Sequence, residues 1–117
     1  MNSPSDAVKR RGDCYKEGDY HGVYEQYSRR SEFRLFFPEA AQYAEHAKHS
    51  QSKDALFAGL EIIQEKIQGN LAEVRFTEHF MEGENAEYVR YFTRAMLTFE
   101  DGGWRILKED REITAKE

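Results

Sequence analysis

The feature that most constrains the fold is the alternation of side chains over residues 71–80, LAEVRFTEHF. Successive side chains of a β-strand point to opposite faces, so alternate residues share one face. One predicted face carries Ala72, Val74, Phe76, Glu78 and Phe80, and the other carries Glu73, Arg75, Thr77 and His79. The mostly apolar first set predicts a strand with one face against a core.

Turn signals divide the rest of the second half into similar segments. Gly69-Asn70, residues 82–85 (EGEN) and residues 100–103 (EDGG) separate four stretches of strand character. The other three stretches are LEIIQEKIQ, AEYVRYFTRAMLTF and WRILKEDREI. This spacing predicts a four-stranded antiparallel meander, and we expect the closing run KEDREITAKE to be a strand edge that frays into a solvated tail.

The first half has helix signals instead. Ser3 can cap a helix, Pro4 suits its first position, and Asp6 completes a capping box. The predicted helix runs from about Pro4 to Glu17 and ends at Gly18. A second helix follows, with one helical stripe formed by Tyr20, Val23, Tyr24 and Tyr27.

Residues 31–37 are expected to be extended or irregular, and a third helix is predicted from roughly Glu39 to Gln51. Helices followed by strands indicate an α+β fold in which the N-terminal helices pack on a curved four- to five-stranded antiparallel sheet. We expect a single domain over residues 1–117, since neither repeats nor a composition shift divide the chain.

Charge and composition bear on location and partners. The formal net charge of −5 disfavours nucleic-acid binding, which draws on a basic excess. The single cysteine, Cys14, cannot form an internal disulfide, and no apolar run is long enough to cross a bilayer. We therefore expect a cytoplasmic protein that binds neither nucleic acid nor membrane.

The order of these elements resembles the nuclear transport factor 2-like superfamily, also called cystatin-like or ketosteroid-isomerase-like. The resemblance spans nearly the whole chain and is carried by the Gly18-Asp19 break, the tyrosine-rich second helix and the final hairpin FEDGGWRILKE. It implies a conical fold around a pocket. Members include isomerases, dehydratases, polyketide cyclases and non-enzymes, so the fold does not fix a function.

The residues that this resemblance implies for an isomerase site are absent from the sequence. The tyrosine expected on the first helix is Arg11, the extended segment over residues 33–38 lacks the general-base carboxylate, and the position of the protonated aspartate is Ala95. Isomerisation needs a base and donors aimed at the developing oxyanion. Isomerase activity is therefore not expected, and whether the chain is an enzyme stays open.

Several side chains could line a pocket. Tyr15, Tyr24 and Tyr27 could present hydroxyls to a ligand, or bond to backbone and pack. If Arg11 enters the pocket, its guanidinium needs an anionic or hydrogen-bonding partner. With Phe37 these residues are the candidate ligand-binding set, for a small hydrophobic or anionic ligand. A cone filled by its own aromatic side chains remains an alternative.

The opposite face of the predicted sheet is the candidate homodimer interface. Arg90 and Arg94 alternate away from the apolar side of their strand, and the resemblance implies dimerisation through this face. Arg75 and His79 lie on the same predicted face. Glu65, Glu73 and Asp110 are candidate ion-pair partners for Arg90 and Arg94.

Metal and cofactor chemistry has little support in the sequence. His46 and His49 are three apart on the third helix, but a third ligand has no evident source. Cys14 suits a packed thiol. We expect neither a metal nor a cofactor. The leading prediction is a small dimeric, non-catalytic domain with a hydrophobic ligand pocket. The alternatives are an isomerase, dehydratase or cyclase with an atypical Tyr/His site, and a protein-interaction module.

Overall fold

The computed structural model describes residues 3–82, 85 and 87–116, with the backbone alone described for residues 50–56 and 115–116. Within these residues helices precede strands, which confirms the predicted α+β order. The helices are α1 (Pro4–Glu17), α2 (Tyr20–Glu25), α3 (Glu32–Phe36) and α4 (Ala40–Asp54). The strands are β1 (Ala55–Gln68), β2 (Leu71–Glu82), β3 (Glu87–Glu100) and β4 (Gly103–Lys116).

The sheet is a simple meander. It has four strands in the order β1-β2-β3-β4, and every neighbouring pair is antiparallel. The predicted turn over residues 82–85 lies partly outside the described residues. The helices cover the concave face of this sheet, while the convex face turns away from them. Fully buried side chains at the helix–sheet contact include Val8, Val23, Val74, Phe76, Leu97 and Ile106.

Helix α1 begins and ends where its sequence predicts. The Ser3 side chain accepts a hydrogen bond from the Asp6 amide at 3.1 Å, and the Ser3 amide donates to Asp6 Oδ2 at 3.0 Å. Gly18 closes the helix in the left-handed conformation, with φ 74°. Asp19 then caps α2 by accepting from the Gly22 amide at 3.0 Å.

Two segments of the first half differ from their predictions. Residues 31–37 are not extended, because Ser31 Oγ accepts from the Arg34 amide at 3.2 Å and nucleates the short helix α3. The stripe predicted for α2 is also interrupted. The helix ends at Glu25, and Tyr27 instead forms an isolated parallel bridge with Ile106 of β4.

The expectation of a solvated C-terminal tail is wrong. Strand β4 continues to Lys116, and its second half pairs with β3 from Ala95↔Glu109 to Val89↔Lys116. This pairing extends the sheet and brings charged side chains of β4 over the concave face. No helix within the described part of the chain combines the length and apolarity needed to cross a membrane.

Candidate functional site

A buried arginine lies at the centre of the concave face. Arg11 projects from α1 and is 1% exposed. Its Nη1 donates to the Tyr27 hydroxyl at 2.8 Å and to Glu109 Oε1 at 2.5 Å. Its Nη2 lies 3.8 Å from Glu78 Oε2. A guanidinium in this environment requires charged or hydrogen-bonding partners, and two glutamates supply the charge.

A second arginine extends the arrangement. Arg111 Nη2 donates to Glu78 Oε1 at 2.8 Å, so Glu109, Arg11, Glu78 and Arg111 form a chain of alternating charge. We call these four residues and Tyr27 the Arg11 network. Its two positive and two negative charges cancel, which lowers the cost of removing them from water.

A β-bulge sets which residues of β4 join the network. Leu97 of β3 pairs with Ile106, but the preceding Met96 pairs with Lys108, so Leu107 is an extra residue in β4. Strict alternation from Ile106 would turn residues 108 and 110 inward. The extra residue turns Glu109 and Arg111 inward instead.

Burial and neighbouring charges keep Glu109 ionised and the tyrosine hydroxyls neutral. Burial disfavours ionised Glu109, but Arg11 and the hydrogen bonds from Arg11 and Tyr27 outweigh it, and the pKa of Glu109 lies below its usual value. Burial raises the pKa of the Tyr15 hydroxyl, and raises that of Tyr27 well above its usual value. Both tyrosines therefore remain neutral hydroxyl donors at neutral pH.

The network and Thr93, whose backbone pairs with that of Arg111, have polar atoms without hydrogen-bond partners among the described residues. They are Nε and Nη2 of Arg11, Oε2 of Glu78 and the hydroxyl oxygen of Thr93. Thr93 lies on β3, where its backbone pairs with Phe76 on one side and Arg111 on the other. Each of these atoms is buried. Because buried polar groups are nearly always paired, these atoms have hydrogen-bonding capacity left for a water molecule or a further polar group.

An arc of aromatic rings borders the network. Successive ring centroids are 6.3 Å apart for Tyr15 and Phe57, 5.5 Å for Phe57 and Phe80, and 5.6 Å for Phe80 and Tyr91. We call these four residues the aromatic arc. All four are half-buried. The guanidinium of Arg111 lies over the Tyr91 ring, 4.8 Å from its centroid.

Solvent reaches the network at two of its members. The Glu109 side chain is 18% exposed and the Arg111 side chain 38% exposed, whereas Glu78 and Arg11 are sealed. The half-buried arc therefore lies beside a network that is open to solvent at Glu109 and Arg111 and closed at Arg11 and Glu78.

The structure divides the predicted ligand-binding residues between two places. Arg11, Tyr15 and Tyr27 lie together at the network. Tyr24 and Phe37 lie in a neighbouring aromatic cluster with Phe33 and Tyr43, where the Tyr24 hydroxyl donates to the Phe37 carbonyl at 2.6 Å. Phe33 stacks on Tyr27 at a centroid distance of 3.9 Å, so aromatic side chains fill this end of the cone.

The predicted interface residues lie on the convex face of the sheet. Arg94 pairs with Glu73 at 3.6 Å and Asp110 at 3.3 Å, and Arg75 lies 3.6 Å from Glu73. Glu65, predicted as a partner there, instead accepts from the Ser5 amide at 2.8 Å.

The other two residues of this set bond to polar groups on neighbouring strands. His79 Nδ1 is hydrogen-bonded to the Tyr88 hydroxyl, and Arg90 Nε donates to Thr114 Oγ1 at 3.2 Å. No partner chain tests the interface, which stays a prediction.

The histidines and the cysteine have ordinary surroundings. His49 pairs with Glu45 at 3.1 Å on the exposed side of α4. Within the described residues, no three His, Cys, Asp or Glu side chains gather as metal ligands would. Cys14 is buried, and burial raises the pKa of its thiol, which keeps it a weak nucleophile.

Sequence reasoning did not identify three residues of the network. The alternation in β2 places Glu78 on the inward face. A carboxylate among the apolar side chains of that face is the one sequence signal that could have identified it as a site residue. Glu109 and Arg111 lay in the run interpreted as a solvated tail. The bulge at Leu107, which turns them inward, has no clear signature in the sequence.

Comparison with known proteins supports the fold and leaves the activity open. Neither family models nor curated proteins give a match. Solved structures do match. A ketosteroid isomerase-like protein from Erwinia carotovora atroseptica is 13% identical with a TM-score of 0.71, and the alignment covers 95% of this chain and 93% of that one.

Two further structures are similar over most of the chain. A protein of unknown function from Pseudomonas putida, described as nuclear transport factor 2-like, is 13% identical with a TM-score of 0.64, covering 92% of this chain and 82% of its own. An LEH-like epoxide hydrolase from M. tuberculosis is 13% identical with a TM-score of 0.60, covering 93% and 80%. The chain therefore has the nuclear transport factor 2-like fold, as its sequence predicted.

Proposed function

We propose that this chain uses its nuclear transport factor 2-like cone to bind a small molecule at the aromatic arc. The apolar body of the ligand would pack on the arc, and its polar end would reach the Arg11 network. The observation that carries the proposal is the set of buried polar atoms on Arg11, Glu78 and Thr93 that have no hydrogen-bond partner in the described part of the chain, in a network whose Glu109 and Arg111 are partly exposed.

The protonation states favour binding over acid–base chemistry. General acid–base catalysis works best with groups whose pKa lies near the working pH. Here the pKa of Glu109 is held below its usual value, and those of Tyr15 and Tyr27 are raised, away from neutrality in both cases. These groups serve better as fixed hydrogen-bonding partners than as proton carriers.

Native mass spectrometry of the purified protein, compared with its denatured mass, tests the proposal. We expect a small-molecule adduct on the wild type, or its saturable uptake from a library of apolar compounds. Phe80→Ala should lose the adduct, because Phe80 is central to the arc. Phe36→Ala removes a matched but exposed ring on α3 and should keep it. A chain that takes up none of the compounds, or equal uptake by both variants, contradicts the proposal.

A second candidate is a hydrolase, favoured by one observation. Glu78 Oε2 is buried beside Arg11 and has no hydrogen-bond donor among the residues that the structure describes, which suits a carboxylate that orients an attacking water. The similar fold of the M. tuberculosis epoxide hydrolase makes epoxides the first substrates to test. Diol formation from styrene oxide that Glu78→Gln abolishes while binding persists would establish this candidate. An unchanged rate in Glu78→Gln would exclude Glu78 as the base.

For the quaternary state, we propose a homodimer through the convex face. Arg94 is already paired with Glu73 and Asp110, which lowers the cost of burying it, and half-buried Phe92 adds apolar area. Light scattering should give twice the chain mass for the wild type and for Leu35→Asp on α3. Phe92→Asp should give the chain mass. A monomeric wild type contradicts this proposal.

A further inference from the structure

The unpartnered atoms of the Arg11 network specify the chemistry of what they bind. We infer that the polar end of the ligand is a neutral group that both donates and accepts hydrogen bonds, such as an alcohol or a primary amide. This inference rests on the proposed function, because it concerns the same site. It follows from the Arg11 donors and the Glu78 acceptor that face each other at 3.8 Å, and from the buried Thr93 hydroxyl on the adjoining strand.

Hydrogen-bond accounting gives the first step. A guanidinium has five N–H donors, and Arg11 uses only those of Nη1, toward Tyr27 and Glu109. Nε and Nη2 have no acceptor among the described residues, and Glu78 Oε2 has no donor. The site therefore needs an acceptor for Arg11 and a donor for Glu78.

The separation of these atoms allows one group to satisfy both. Arg11 Nη2 and Glu78 Oε2 are 3.8 Å apart. An oxygen at about 2.9 Å from each, an ordinary hydrogen-bond length, would accept from the guanidinium and donate its proton to the carboxylate. A hydroxyl can do this with one atom. A primary amide can do it with its carbonyl oxygen and its NH₂ group.

Charge balance gives the second step. The two arginines and two glutamates of the network already cancel, so a charged ligand would bring an uncompensated charge into a largely buried site. A carboxylate on the ligand would be attracted by the Arg11 guanidinium but repelled by the Glu78 carboxylate. An ammonium group on the ligand would be attracted by the Glu78 carboxylate but repelled by the Arg11 guanidinium. Both charged classes are therefore disfavoured relative to neutral ones of the same size.

Thr93 contributes without adding charge. Its side chain is fully buried, and its hydroxyl oxygen has no hydrogen-bond partner among the described residues. A hydroxyl rotates to donate or accept as its neighbour requires. It can therefore donate to or accept from an alcohol or amide without changing the charge of the site.

Four probes with the same apolar body test the inference. They are 4-phenylbutanol, 4-phenylbutyramide, 4-phenylbutyrate and 4-phenylbutylamine, each titrated near neutral pH and followed by chemical-shift changes of the protein amides. We expect the alcohol and amide to bind about tenfold more tightly than either charged probe. If the carboxylate or the amine binds as tightly as the alcohol, the inference is wrong while the proposed function stands. If none of the four binds, both are contradicted.

Three variants locate the preference at the network. Glu78→Gln removes the negative charge facing the ligand and should raise affinity for the carboxylate about tenfold relative to the alcohol. Glu112→Gln removes the same charge from an exposed position of β4 and should leave the preference unchanged. Thr93→Val keeps the side-chain shape and should weaken binding of the alcohol several-fold. This variant provides a test if Glu78→Gln folds poorly. Unchanged preferences in both Glu78→Gln and Thr93→Val would overturn the inference.

Discussion

Arg11 is the residue whose environment is most demanding. It is sealed from solvent, yet it carries a permanent charge that Glu109 and Glu78 must balance. The neighbouring Arg10 has no such requirement, because it is exposed on the other side of α1. Adjacent residues of the same type thus have opposite roles, which depend on the strands that α1 faces.

We predict that Arg11→Met destabilises the domain by about 3–5 kcal/mol, because it leaves two glutamates buried without a full complement of positive charge. The measurement is urea unfolding followed by circular dichroism. Arg10→Met is the matched control and should change stability by less than about 0.5 kcal/mol. Equal stability of the two variants would mean that the network carries little energy.

We expect the Glu109 carboxylate to make the free energy of unfolding depend on pH. Its pKa is lowered in the folded state, because the Arg11 charge and hydrogen bonds outweigh burial. Its stabilising contribution is therefore fully present above its unfolded-state pKa of about 4.3 and is lost as the pH falls through the lower folded-state value. Unfolding free energies measured from about pH 7 down to about pH 3 should decline less steeply in Glu109→Gln than in the wild type. Parallel curves would contradict this assignment.

Among the elements, β4 is the one whose register determines the site. Its first half is recognisable from the Gly-Gly turn and the alternation of Trp104 and Ile106, and its pairing with β3 was predicted. The inward facing of Glu109 and Arg111 was not, because it depends on the extra residue Leu107. Whether a bulge forms depends on twist and on contacts across the sheet, which alternation along one strand does not encode.

Two single-residue deletions test whether the fold requires the bulge itself or only the inward direction of Glu109 and Arg111. Deleting Leu107 removes the bulge but keeps Glu109 and Arg111 on the concave face, so we expect a cooperatively folded protein. Deleting Asp110 turns Arg111 outward and breaks its 2.8 Å bond to Glu78. We expect that variant to lose its cooperative thermal transition in calorimetry. The reverse outcome would show that the bulge itself is required for the fold.

For the whole molecule, the fold was more predictable than the site. The capping box of α1, the turn glycines and the strand alternation are local signals, and they gave the order of helices and strands. The network joins α1 to β2 and β4, with Arg11 and Glu109 separated by 98 positions in the chain. Contacts of that range have no local pattern, which explains why Arg11 and Tyr27 were predicted as site residues while the two glutamates that pair with Arg11 were missed.

The closing half of β4 should therefore be indispensable. A chain ending at Lys108 lacks both the Glu109 carboxylate and the pairing of β3 with residues 109–116. We expect it to lack a cooperative unfolding transition and to show poorly dispersed amide signals in a nuclear magnetic resonance spectrum. Removing residue 117 alone is the control and should preserve both. A native-like spectrum for the shorter chain would contradict the role given to this half-strand.

The separation of Arg11 from Glu109 also has a consequence during synthesis. Helix α1 leaves the ribosome before β4, and Glu109, one of the partners of Arg11, is added 98 positions later. At typical translation rates of about 5–20 residues per second, the wait is between about 5 and 20 seconds. During that time Arg11 lacks its Glu109 partner, so we expect α1 to dock fully on the sheet only after β4 has been made. The ion pair thus couples the docking of the first helix to the arrival of the last strand.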